Sequence, residues 1–127
     1  NDLDASIRYG RKVMVAEEAS KVMRLVIELT DIFVKEDYPR LNRAMRKEKE
    51  ALRLSAVSAD AQSVKYADII DNVTDIVKQD ADFAKVFVKE AKKMLKAMTA
   101  GNQELRQRAF KVVNACLLST RKPAESY

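Results

Sequence analysis

Apolar side chains recur along this sequence in steps of three and four, the spacing of an α-helix. From Leu3 to Phe33 the stripe Val15, Ala19, Val22, Val26, Leu29 and Phe33 alternates steps of four and three, which predicts one continuous helix or a closely joined pair. Asp4 and Ser6 are candidate caps for its start, and Gly10, costly inside a helix, predicts a break or kink after a short leading segment. Unbroken for about 30 residues, such a helix spans roughly 45 Å, more than a compact bundle of this size needs. Part of it is therefore expected to pack against another chain.

Pro39 disfavours helical geometry at Tyr38 and suits the first turn of a second helix, capped near Asp37 and running to Ala56. Its apolar positions are Leu41, Ala44, Met45, Ala51, Leu52 and Ala56, and the charged turn Arg46–Glu50 is expected in solvent. Ser58 or Asp60 caps a third helix carrying Tyr66, Ile69, Ile70, Val73, Ile76 and Val77. Asp80 and Asp82 are the caps available to a fourth, with the apolar stripe Phe83, Phe87, Ala91, Met94 and Met98; the third and fourth are either separate or one bent helix. Gly101 is expected as a left-handed stop and Asn102 as the cap of a last helix, with Leu105, Ala109, Val112, Val113, Cys116 and Leu117 inward. The pattern predicts an all-α fold, a bundle of four or five mostly antiparallel helices with a long first helix. Residues 1–120 form its single domain, followed by a polar tail over 121–127.

Composition agrees with long helices and few turns. Of 127 residues only two are glycine and two proline, while 47% are hydrophobic, too many for a disordered chain. No apolar run approaches the roughly 20 residues needed to cross a bilayer, and Asn1–Arg11 lacks the features of a cleavable signal. With one cysteine, Cys116, no internal disulfide can form, and a cytoplasmic setting is expected.

Histidine is absent, which removes the commonest general base and metal ligand. Neither Gly10 nor Gly101 belongs to a phosphate-cradling motif. Inward carboxylates paired with histidine, as in metal-binding bundles, are likewise missing. No catalytic, cofactor or metal site is expected. Cys116 and the five methionines read as core filling.

Charge is distributed unevenly. Residues 59–82 hold two basic and six acidic side chains, a net of −4, whereas 83–101 hold five basic and one acidic, a net of +4. Lys85, Lys89, Lys92 and Lys96 form one stripe of the fourth helix, opposite Phe83, Phe87 and Met94, and only Glu90 offsets them there. Asp68, Asp71 and Asp75 make a matching stripe on the third helix. The two stripes are expected either to exchange weak salt bridges within the chain or to match between neighbouring copies. Arg40, Arg43 and Lys47 lie on one line of the second helix and Arg46, Lys49 and Arg53 on the next. Arg106, Arg108 and Lys111 mark the start of the last helix, the place where a helix-turn-helix would be sought.

No motif here is specific enough to name a family. The pattern points to a non-enzymatic interaction or assembly module that self-associates or takes a protein partner. The alternative is an accessory nucleic-acid-binding protein, a small helical subunit of a larger nucleoprotein complex. Its phosphate contacts would be Lys85, Lys89, Lys92 and Lys96 with Arg40, Arg43 and Lys47. Scattered tyrosines give base stacking little support.

Overall fold

The computed structural model describes residues 2–120, which are all-α and form five helices. These are α1 (Asp2–Leu29), α2 (Arg43–Leu54), α3 (Ala59–Gln79), α4 (Ala81–Ala97) and α5 (Gln103–Thr120). The polar tail expected over 121–127 lies outside the described residues. The chain divides into two compact units, Asn1–Thr30 and Asp31–Tyr127.

The first unit is α1, the longest helix at 28 residues. It runs through Gly10 without the expected break. A glycine there weakens the helix by only about 1 kcal/mol relative to alanine, less than ending it. Asp4 and Ser6 sit inside the helix rather than capping it, and Asp2 and Asp4 place negative charge on its N-terminal dipole. The helix stops at Leu29, short of Phe33, with the Thr30 hydroxyl donating back to the Val26 carbonyl.

The second unit opens with a turn-rich segment before α2. Pro39 does not start the helix; Asn42 does, its side chain accepting from the Met45 amide at 2.9 Å. A local cap outweighs the proline signal because the segment is tied up elsewhere. Phe33 and Tyr38 stack with centroids 5.0 Å apart, and the Leu41 amide donates to the Tyr38 carbonyl. Arg46 then donates to the Leu41 carbonyl at 2.7 Å.

The charged turn Arg46–Glu50 is not uniformly in solvent. Glu50 is 1% exposed and accepts from the amides of Ile32 and Phe33 at 2.7 and 2.6 Å. Arg53, one turn on, completes the cluster with its Nη2 2.9 Å from the carboxylate. Burying this charge is tolerable because every Glu50 oxygen is paired. The packing face of α2 is therefore Glu50, Ala51 and Leu54, while Met45 and Leu52, expected inward, are exposed.

The remaining helices start at their expected caps: Ser58 accepts from Ala61, Asp80 from Phe83 and Asn102 from Leu105. Asp80 alone separates α3 from α4, in a non-helical conformation, so these are two helices. They run antiparallel. Tyr66, near the start of α3, donates from its hydroxyl to the Met98 carbonyl just past the end of α4. α3, α4 and α5 pack against one another, and α2 packs on α4.

The core holds Leu54, Tyr66, Val73, Val88, Leu95 and Val113, each 2% exposed or less. On α4 the buried face is Ala84, Val88, Ala91, Met94 and Leu95, so Ala91, Met94 and, just past the helix, Met98 of the expected stripe are buried, while Phe83 and Phe87 are half-buried at its edge. Small residues there allow close helix approach, and the two phenylalanine rings lie at the edge, 6.1 Å apart. Gly101 is buried but has no positive φ, so it is not the expected left-handed stop. Its lack of a side chain admits Tyr66 and Ser63 instead. Buried Gln62 reaches across the same corner, its Oε1 accepting from the Ala100 amide at 2.8 Å. Cys116, expected in the core, is half-buried.

Candidate interaction surfaces

Three features stand out on the two units: the apolar face of α1, a basic groove between α2 and α4, and the acidic face of α3.

None of the α1 residues is buried. Val22 is 58%, Met23 59%, Val26 53% and Ile27 64% exposed. Val15, Val22 and Leu29 recur every seven residues, with Ala19 and Val26 interleaved, and Met23 and Ile27 widen the same face. Glu17, Lys21, Arg24 and Glu28, stepping by four, three and four, form the polar face. Ile7 and Met14 flank the Val22 stripe on the side opposite Met23 and Ile27, so the apolar surface shifts round the helix along its length.

The predicted basic residues divide into separate groups. Arg40 precedes α2 and lines a hollow with Phe33, Asp37, Tyr38, Pro39, Leu41 and Lys49, so it is not on one helical line with Arg43 and Lys47. Arg43 makes a two-pronged contact with Glu90, Nε to Oε2 at 2.8 Å and Nη2 to Oε1 at 3.0 Å. Its guanidinium also lies 5.0 Å from the centre of the Phe83 ring. Hydrogen bonding to Glu90 raises the Arg43 pKa above its ordinary value, against a smaller opposing effect of burial. Arg43 thus joins α2 to α4 and neutralises Glu90, the acid among the lysines of α4.

Lys47 and Lys89 do converge. They line a groove of about 230 Å3 between α2 and α4 with Lys93, Glu48 and Glu90, over Ala44 and Val86. Lys93 follows Lys89 by one turn on the side facing α2, off the stripe that sequence spacing singles out. Lys85 and Lys96 are exposed and Lys92 is half-buried; nothing in the geometry brings these three into the groove. The second basic line is spent inside the fold, since Arg46 holds Leu41, Lys49 lies 5.9 Å from the Phe33 ring centre and Arg53 holds Glu50.

Arg106, at the start of α5, donates to the carbonyls of Met98 and Leu95 at 2.9 and 3.0 Å and lies over Phe110. It satisfies the open C-terminal carbonyls of α4 rather than presenting a charge to a groove of nucleic acid.

On α3, Asp68, Asp71 and Asp75 are exposed. Lys65 pairs with Asp68 at 3.0 Å, and Asn72 donates to the same carboxylate. Among the described residues no ion pair joins this acidic stripe to Lys85, Lys89, Lys92 or Lys96. The weak salt bridges expected between the two stripes within the chain are therefore not formed.

Burial raises the Cys116 thiol above its ordinary pKa, the opposite of what activates a nucleophile. Among the described residues no three His, Cys, Asp or Glu side chains gather to hold a metal ion, and no helix is long and apolar enough to cross a membrane. Comparison with protein-family models, with curated proteins and with solved structures finds no match to this chain.

Proposed function

We propose that this protein is a non-enzymatic helical assembly module that self-associates through α1. The carrying observation is that α1 buries none of its 28 residues while exposing Val22, Met23, Val26 and Ile27 on one face. Helices in water draw most of their stability from packing such a face, and a contiguous apolar patch left open marks an interaction site. Full burial of a Val, Ile or Met side chain contributes roughly 1.5–3 kcal/mol, and several of them on each helix together oppose the entropic cost of association.

The occupant that fits best is α1 of a second copy. The seven-residue recurrence of Val15, Val22 and Leu29 with Ala19 and Val26 is the seam of a coiled coil. Identical helices carry identical seams, so a second copy supplies the complement. Sedimentation velocity on the full chain tests this, with Val22→Glu/Val26→Glu as the variant. An oligomer that becomes monomeric in the variant, with the helices of residues 31–127 retained by circular dichroism, supports the reading. A wild-type chain that stays monomeric from micromolar to millimolar concentration overturns it.

A second reading, phosphate binding, draws on the convergence of Lys47, Lys89 and Lys93. It predicts binding to single- or double-stranded nucleic acid that weakens steeply between about 50 and 200 mM salt. Changing these three lysines to glutamate then abolishes binding, and absence of binding at the lower salt dismisses the reading.

A further inference from the structure

We infer that the acidic stripe of α3 in one copy docks on the lysine stripe of α4 in another, setting the register of the assembly. This rests on the self-association proposed above and adds a second contact to it. The observation behind it is that the two stripes are complementary yet unpaired with each other within the chain.

The spacing lets the two rows match residue for residue. Asp68, Asp71 and Asp75 step by three and four, and Lys85, Lys89, Lys92 and Lys96 step by four, three and four. In an antiparallel pairing Asp75, Asp71 and Asp68 fall in step with Lys85, Lys89 and Lys92. In a parallel pairing Asp68, Asp71 and Asp75 fall in step with Lys89, Lys92 and Lys96. At 1.5 Å per residue each set of three covers roughly 10 Å, about two turns of helix.

The charges have few other calls on them. Glu90, the one acid among residues 83–101, is held by Arg43, and of the three aspartates only Asp68 has a lysine partner, Lys65. Left alone, four lysines on one helix repel one another, as do the aspartates of α3. A second copy relieves both at once, because each copy brings both halves of the contact. Surface ion pairs are individually weak, but rows of them select orientation and reject wrong alignments.

Charge exchange tests the proposal on the full chain. One variant carries Lys85→Glu, Lys89→Glu and Lys96→Glu; the other carries Asp71→Lys and Asp75→Lys, which leaves the Lys65–Asp68 pair intact. All five positions are exposed, and circular dichroism checks that both variants fold. Sedimentation velocity at about 50 mM salt is expected to show each variant associating on the order of tenfold more weakly than wild type, as reversing several weak pairs implies. Mixing the two variants restores a mixed complex, and about 500 mM salt weakens the wild type towards the level of the variants. If both variants associate as tightly as wild type, or if the mixture fails to recover, the stripe contact is wrong while the α1 reading stands. A monomeric wild type removes both.

Discussion

Gly101 lies so close to Tyr66 that a Cβ on the glycine would stand 2.5 Å from Cε2 of the ring, and 2.9 Å from the backbone nitrogen of Ser63. The tyrosine cannot withdraw. It is fully buried, and its hydroxyl both donates to the Met98 carbonyl at 2.5 Å and accepts from the Gly101 amide at 3.2 Å.

Gly101→Ala is accordingly expected to destabilise the α3–α4–α5 core by about 1–3 kcal/mol, the range for forcing extra volume into a packed site. Tyr66→Phe strips the Gly101 amide of its acceptor and leaves the Met98 carbonyl to Arg106 alone, at a loss of about 1–3 kcal/mol. Gly10→Ala is the control, because a Cβ there meets nothing within 4 Å. Urea denaturation of the three variants checks the contrast: Gly10→Ala should be neutral to stabilising by up to about 1 kcal/mol.

Glu50 is the second position where one side chain organises a segment. Glu50→Ala strands the amides of Ile32 and Phe33 and leaves Arg53 without its carboxylate, which should destabilise by about 3 kcal/mol. Glu48→Ala, on the exposed side of the same helix, should stay within about 0.5 kcal/mol. Equilibrium unfolding measures both, and hydrogen exchange of the Ile32 and Phe33 amides should accelerate in Glu50→Ala alone.

Cys116 is expected to resist alkylation, since burial raises its pKa and lowers its thiolate fraction. Iodoacetamide at about pH 8 should react with it more slowly than with the urea-unfolded chain, and equal rates would contradict the assignment. The linkage follows in sign: with the folded pKa above the unfolded one, this group's contribution to stability is complete below the unfolded pKa. It is lost as pH rises from there through the folded value. A Cys116→Ala variant should lack that alkaline decline.

What could be read in the sequence was what is decided locally. Ser58, Asp80 and Asn102 cap their helices because a short polar side chain reaches an amide three residues on, wherever the helix finally packs. Tyr66, Ile69 and Val73 are likewise buried, as their spacing predicts.

Misreadings fell where distant segments meet. Glu50 sits in a run of charges, and its burial depends on Ile32 and Phe33 folding back on it from 18 and 17 positions away. Pro39 lost the start of α2 to Asn42 for the same reason, and Arg40 left the basic line with it. On α4 the choice between Phe83 and Phe87 and the smaller Ala84 and Val88 was made by how closely α3 and α5 approach, which spacing alone does not register. Lys93 escaped notice because the groove it lines exists only once α2 is in place.

Asp80 has a kinetic consequence. As the one residue between α3 and α4, it accepts from Phe83 at the start of one helix while its own amide donates to Ile76 at the end of the other. So short a connection leaves almost no loop entropy to be lost when the two helices meet. Contacts near this corner are local in sequence and form early, whereas Tyr66 must wait for Met98, 32 residues away. Folding of this unit therefore closes like a zip from the Asp80 corner towards Gly101, and a residue inserted beside Asp80 should slow refolding more than the same insertion in the segment before α2.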